Sequence, residues 1–186
     1  MRIIGGKNKG KKIDLPTDEK TRPLRDLVKE SIFNLILHSN KLTCVLANSR
    51  ILDLFSGTGS FGLECYSRGA KYVTFVENYF SVLKILKKNI ASINANNSTK
   101  IIEKDCFQYF ETQQSLTNKY DFVFLDPPYK ERKVNLLIDK IKESQILKKN
   151  GIIILHRHKK DEIEISESLN ILEARNYGIS KVIIGN

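Results

Sequence analysis

Residues 51–62 read Ile-Leu-Asp-Leu-Phe-Ser-Gly-Thr-Gly-Ser-Phe-Gly, and this run narrows the possible folds more than any other in the chain. An apolar strand that passes directly into Gly57-x-Gly59-x-x-Gly62 and then into a helical pattern matches the dinucleotide fingerprint that opens a βαβ unit. The glycines permit a tight turn and let a ligand approach the backbone. Glu77, about 20 residues beyond Gly57 and at the end of the next apolar run, can accept both hydrogen bonds of a ribose diol. The spacing favours an adenosine-containing cofactor without separating NAD from S-adenosylmethionine.

Around this unit, strands and helices alternate. Apolar runs at 51–55, 72–76, 101–102, 120–125 and 152–155 predict five strands, the last entered through a turn at Lys149-Asn150-Gly151. Helical periodicity predicts helices over 24–37 and 61–68, the second closed by Gly69, and one capped by Asn78 that runs through Ile90. Further helices are predicted around Phe107 and Phe110 and from Val134 to Ile141. Two apolar stretches flanking Tyr177-Gly178 predict a terminal antiparallel pair. The order predicts an α/β chain with a mostly parallel, doubly wound sheet and a C-terminal antiparallel pair.

A second stretch carries chemistry. Tyr120-Asp-Phe-Val-Phe-Leu125 ends in Asp126-Pro127-Pro128-Tyr129, a strand that stops at a rigid loop and holds an acid and an aromatic ring at its carboxyl end. In open α/β sheets ligands bind at that edge. This loop has no evident use in a nicotinamide enzyme. Asp53, inside the strand before the glycines, would repel a pyrophosphate but suits the cationic amino-acid end of S-adenosylmethionine. Both features favour that cofactor. Asp105, after the third strand, can accept from an adenine amine or cap the helix that follows it.

The N-terminus differs in character. Residues 1–15 read as two short strands joined through Gly5-Gly6, and Arg2, Lys7, Lys9, Lys11 and Lys12 occur there with no acid before Asp14. With a formal net charge of +10, a basic hairpin of this kind suits a polyanion, because Lys and Arg gain affinity by releasing phosphate counterions. Pro23 suits the start of the following helix and Thr21 or Asp18 could cap it, while Arg22, Arg25 and Lys29 near its opening turns could extend one basic surface. The reading divides the chain into a basic hairpin and helix, residues 1–40, packed on a cofactor-binding domain, residues 41–186. Three cysteines without paired metal spacing read as thiols of a reducing compartment. No apolar run approaches the roughly 20 residues that span a bilayer, so a soluble, cytoplasmic protein is expected. His156-Arg157-His158-Lys159-Lys160 reads as a basic surface loop rather than a metal site, at the sheet edge that bears Asp126.

Asp53-Leu-Phe-Ser-Gly-Thr-Gly-Ser-Phe-Gly62 with Asp126-Pro-Pro-Tyr129 resembles the class I S-adenosylmethionine-dependent methyltransferases that modify exocyclic amines of bases. With Arg2-Ile-Ile-Gly-Gly6 and Thr21-Arg-Pro-Leu-Arg-Asp-Leu-Val-Lys-Glu-Ser-Ile-Phe-Asn34, the chain resembles more narrowly the RsmD family, guanine-N2 methyltransferases of small-subunit (16S) ribosomal RNA. It departs from the family pattern in having Leu24 after Arg-Pro and His156 at the end of the fifth strand. The resemblance implies a Rossmann-like fold and action on small-subunit ribosomal RNA or the 30S particle; a monomer without a metal is expected. It also implies that Asp53, Phe55, Gly57, Gly59, Glu77, Asn78, Asp105 and Cys106 bind S-adenosylmethionine. Asp126 and the Pro127 carbonyl would orient the amine, Tyr129 would stack on an unpaired base, and the N-terminal basic residues would bind RNA. A DNA adenine-N6 enzyme, a nicotinamide oxidoreductase and a non-catalytic RNA-binding protein stay open as alternatives.

Overall fold

In the computed structural model, which describes residues 1–17, 24–111, 119–161 and 164–186, the apolar runs become strands that alternate with helices. Helix α1 (Asp26–His38) precedes β1 (Arg50–Leu54), α2 (Ser60–Ser67), β2 (Tyr72–Val76), α3 (Phe80–Ser92), β3 (Thr99–Ile102) and α4 (Cys106–Glu111). Then come β4 (Tyr120–Leu125), α5 (Val134–Glu143), β5 (Leu147–His158), β6 (Ile171–Tyr177) and β7 (Ser180–Gly185). Among the described residues these strands form one seven-stranded sheet in the order β3-β2-β1-β4-β5-β7-β6. Neighbours from β3 to β5 are parallel, whereas β7 runs antiparallel to both β5 and β6. This is the Rossmann-like α/β architecture that the alternating pattern predicts, with the terminal pair where the Tyr177-Gly178 turn places it.

Alternation along each strand divides the core in two. Ile51, Val73, Phe75, Phe122, Phe124, Ile152 and Ile154 face one way, onto α1, α2 and α3. Leu52, Leu54, Val76, Val123, Leu125, Ile153 and Leu155 face the other way, onto α4 and α5. Both faces are thus covered, as buried parallel strands require. Each fully buried Phe or Ile contributes about 1.5–3 kcal/mol of transfer free energy. Ile3, Ile13, Val28, Ile32 and Phe33 belong to the first cluster, so the N-terminal arm and α1 pack on the sheet. The arm is a short hairpin closed by an Arg2–Lys12 bridge and by hydrogen bonds from the Ile3 amide to Lys11 and from the Ile13 amide to Met1.

Several boundaries differ from the sequence expectation. Asn78 does not cap α3: the helix starts after Tyr79 with no side-chain cap, and Asn78 Nδ2 instead donates to Asp105 Oδ2 at 3.4 Å. Asp18, Thr21, Arg22 and Pro23 lie outside the described residues. Lys149-Asn150-Gly151 is no turn but part of β5, at a register shift where pairing passes from Tyr120–Leu147 to Phe122–Ile152. A side chain at Gly151 would stand 2.8 Å from the Tyr120 carbonyl, which explains the glycine. His156, Arg157 and His158 are likewise strand, not loop, because antiparallel β7 extends the ladder to His158–Ser180.

Candidate active site

The order of the sheet fixes where a site can form. β1 leads outward to β2 and β3 on one side, and the chain then returns to place β4 on β1's other side. The crevice at the carboxyl ends of β1 and β4 is therefore the topological switch point. A cavity of about 590 Å³ opens there, and it is lined by both motifs singled out in the sequence.

One half is built by β1, β2 and the loop after β3. Backbone at Phe55 turns to φ 55°, and Gly57 and Gly59 also take positive φ, so the chain doubles back into α2. The Gly57 amide donates to Glu77 Oε2 at 2.8 Å, and Glu77 Oε1 accepts from the amides of Asn78 and Tyr79, each at 2.9 Å. The Glu77 carboxylate thus ties the end of β2 to the glycine loop and lines the cavity with Phe55, Gly57, Asn78 and Asp105. Asp105 does cap α4, its Oδ1 accepting from the Phe107 amide at 2.8 Å, while facing the cavity as well.

Asp53 also lines the cavity but is only 1 % exposed, and its Oδ2 accepts from the Gly62 amide at 2.9 Å. Burial pushes its carboxyl well above the usual range, the Gly62 amide opposes this, and the Asp126 and Glu77 carboxylates add to it. Two residues expected at the cofactor stand back from the cavity. Gly59 packs under the loop against Leu86, and the buried Cys106 thiol accepts from the Phe55 amide at 3.3 Å, supporting the turn. Burial pushes that thiol's pKa up, as it does for Cys65, and Cys44 is pushed up to about 11, so none of the three is poised as a thiolate.

The other half is the loop after β4. Asp126 Oδ1 lies 2.8 Å from His156 Nδ1, and His156 Nε2 lies 2.9 Å from Ser180 Oγ. Pro127 is buried, and Tyr129 meets His158 edge-on with ring centroids 5.2 Å apart. Arg157, 3 % exposed, spans this loop from below. Its Nη1 donates to the Pro128 carbonyl at 3.1 Å, its Nη2 to the carbonyls of Tyr129 and Glu131 at 3.3 and 3.2 Å, and it pairs with Asp161. Beneath both halves, Phe33, Phe61 and Phe124 stack in series, the last two with centroids 4.0 Å apart.

The sequence reading missed the residues that join these parts. His156 and Arg157 are buried rather than solvated, and Lys29, 0 % exposed, takes no part in a basic surface. Asn89 had no motif, yet its side chain accepts from the Asp14 amide at 2.9 Å and donates to the carbonyls of Asp14 and Thr58, each at 3.0 Å. It fastens the arm to the glycine loop. Arg2, Lys7, Lys9, Lys11 and Lys12 are exposed on that arm, whose Leu15 and Pro16 line the cavity with Arg25. Among the described residues no group of three or more His, Cys, Asp or Glu is placed to hold a metal ion.

The third glycine of the fingerprint has a packing role that can be tested. A Cβ at Gly62 would lie 2.3 Å from the Phe75 ring and 2.7 Å from Val73, both in the buried strand beneath α2. Gly62→Ala overpacks that contact and costs about 1–3 kcal/mol, read as a lowered midpoint in thermal or urea unfolding. An unchanged midpoint would show that α2 can lift away freely.

The cavity wall also holds an unpaired polar group and an open stretch of backbone. Ser56 Oγ is buried at its wall and finds no hydrogen-bond partner among the described residues, and a side chain at Gly57 would meet only open space. The family model described as conserved hypothetical protein 95 matches residues 1–186. Ribosomal RNA small subunit methyltransferase D of Haemophilus influenzae is 32 % identical over 180 residues, 96 % of this chain and 90 % of that protein. Its namesake in Escherichia coli K12 is 33 % identical over 143 residues, 75 % of this chain and 67 % of that protein. A candidate methylase of H. influenzae, HI0767, superposes with a TM-score of 0.76 at 29 % identity, covering 99 % of this chain and 96 % of that one. The match over the whole chain, together with these relatives, shows that the chain belongs to the RsmD family of methyltransferases.

Proposed function

We propose that this protein transfers a methyl group from S-adenosylmethionine to the exocyclic N2 amine of a guanine in small-subunit ribosomal RNA. The observation that carries the reading is the shared cavity, in which the wall from β1 and β2, suited to a nucleoside, meets the loop after β4, suited to orient an amine, across the switch point. The cofactor is S-adenosylmethionine, as in the family's methyltransferases, and a solved candidate methyltransferase of this fold, SMU.776, is complexed with its demethylated product (TM-score 0.63, 20 % identity, 84 % of this chain and 48 % of that one). Glu77, Asp105, Ser56 and the Gly57 backbone would hold it, and when bound it supplies an electrophilic methyl group.

The chain's own residues would do the rest. A guanine N2 lone pair is delocalised into the ring, so the amine needs acceptors that draw it toward tetrahedral geometry. The Asp126 carboxylate and the Pro127 carbonyl, on a loop stiffened by two prolines and spanned by Arg157, can supply them. Their contribution is alignment and stabilisation of the positive charge that develops on nitrogen. Tyr129, at the cavity wall, would stack on the target base once it is unpaired or flipped out.

The basic arm, residues 1–17, together with α1, is proposed as the RNA-binding extension. Replacing Lys7, Lys9, Lys11 and Lys12 by Gln is expected to weaken RNA binding and flatten its salt dependence by about 0.7 per lost phosphate contact. Turnover at saturating RNA would stay near normal. An unchanged salt slope would remove the arm from the interface.

The decisive experiment incubates the protein with labelled S-adenosylmethionine and unmodified small subunits or their RNA, then identifies the labelled base by mass spectrometry. N2-methylguanine is expected. Label in adenine N6, or none in RNA, would overturn the assignment.

A further inference from the structure

We propose that His156 is a positioning residue for methyl transfer, holding the Asp126 carboxylate so that one oxygen is engaged and the other is presented to the acceptor amine. The inference rests on the reading of Asp126 as the amine's acceptor. An ionised carboxylate only accepts hydrogen bonds, so His156 Nδ1 must carry the proton of the 2.8 Å contact to Asp126 Oδ1. Nε2 then meets Ser180 Oγ at 2.9 Å, and the hydroxyl can donate to a neutral ring or accept from a charged one. In either state Nδ1–H stays aimed at Asp126.

The surroundings leave the imidazole little freedom. His156 is 7 % exposed and Ser180 4 %, and the two strands that carry them are paired, His156 with Val182 and His158 with Ser180. The chain of contacts therefore runs from β7 through β5 to the end of β4. The terminal torsion of an aspartate is broad, so a carboxylate with no such partner samples many orientations. Near-attack geometry is sensitive to that: a misplacement of about 1 Å can cost on the order of 100-fold in rate. Asp126 oriented through its Oδ1 leaves Oδ2 for the amine, beside the carbonyl of the next residue, Pro127.

The test compares variants of the full chain in the methyl-incorporation assay, with unmodified small subunits as substrate. His156→Leu, which keeps packing but removes both ring nitrogens, is expected to lower kcat about 10- to 100-fold with KM for S-adenosylmethionine unchanged. His156→Asn, whose amide nitrogen sits where Nδ1 does, should recover most of that loss; a purely structural role would give no such recovery. Ser180→Ala should lower kcat by about 3- to 10-fold, again without moving KM. Full turnover in His156→Leu, or an Asn variant that folds yet works no better than the Leu variant, overturns the proposal. If His156→Leu does not fold, Ser180→Ala carries the test, and an unchanged kcat there overturns it. Asp126→Ala run in parallel separates the two levels. An inactive Asp126→Ala beside a fully active His156→Leu removes only the positioning role, whereas an active Asp126→Ala removes the reading on which it rests.

Discussion

Asp126→Ala is expected to lower methyl transfer by about 100- to 10,000-fold while changing the affinity for S-adenosylmethionine by no more than a few-fold. The separation follows from where the two halves of the cavity are anchored. The proposed nucleoside half, built by β1, β2 and the loop after β3, is fixed by the Gly57 amide on Glu77, by the Asn78 and Tyr79 amides on the same carboxylate, and by Asp105 at the head of α4. None of those contacts passes through Asp126, whose side chain meets His156 of β5 among the described residues. Truncation at Asp126 would therefore remove the proposed acceptor for the amine and leave the proposed cofactor wall standing. Calorimetric titration of the variant with S-adenosylmethionine, beside single-turnover methyl incorporation, reads the two effects separately. Near-normal turnover would mean that the Pro127 carbonyl and the rigid loop suffice to orient the amine. A collapse of cofactor affinity would mean instead that Asp126 acts through Asp53, the buried carboxyl whose ionisation it disfavours.

How far the sequence discloses this site depends on whether the cause is local. Both strand ends that form the cavity are written in short runs: apolar residues, then Gly57-x-Gly59-x-x-Gly62 or Asp126-Pro127-Pro128-Tyr129. Strand, turn and helix follow from those residues alone, and so does the sheet edge they share. His156-Arg157-His158 is the opposite case. Basic residues in series look solvated, and nothing nearby in the chain says otherwise. His156 and Arg157 are buried because Asp126, 30 residues earlier, and Ser180, 24 residues later, face the first, and three carbonyls of the loop after β4 face the second. Asn89 is similar, since its partners at Asp14 and Thr58 are 75 and 31 residues away. Polar residues that hold a site together are legible only when their partners are close in sequence. Here most are not, and periodicity cannot report an interaction between separate elements.

Glu64→Ala is the variant expected to cost most in stability, about 3–5 kcal/mol, because it leaves an ammonium buried without its main counter-charge. Glu64 is 0 % exposed in α2. It accepts from the Ile4 amide at 2.8 Å and from Arg68 Nε at 2.7 Å, and stands 3.5 Å from the equally buried Lys29 ammonium of α1. Burial pulls the Lys29 pKa below the usual lysine value, and Glu64 and then Asp26 oppose it. Without Glu64, Lys29 keeps the Arg2 carbonyl at 2.7 Å and Asp26 at 3.6 Å, too little to replace a desolvated carboxylate. In a chain of this size each kcal/mol is worth about 2–4 °C, so the midpoint should fall by roughly 10 °C. Pairing the change with Lys29→Met removes the orphaned charge and should restore most of the midpoint, since apolar residues often replace a buried ion pair at little cost. The double variant still lacks the acceptor for the Ile4 amide, so the arm should bind RNA more weakly than in the wild type even though the fold is recovered. A single variant that melts within about 1 °C of the wild type would show that Lys29 escapes to water when Glu64 is absent, and that packing alone holds the arm on α1 and α2.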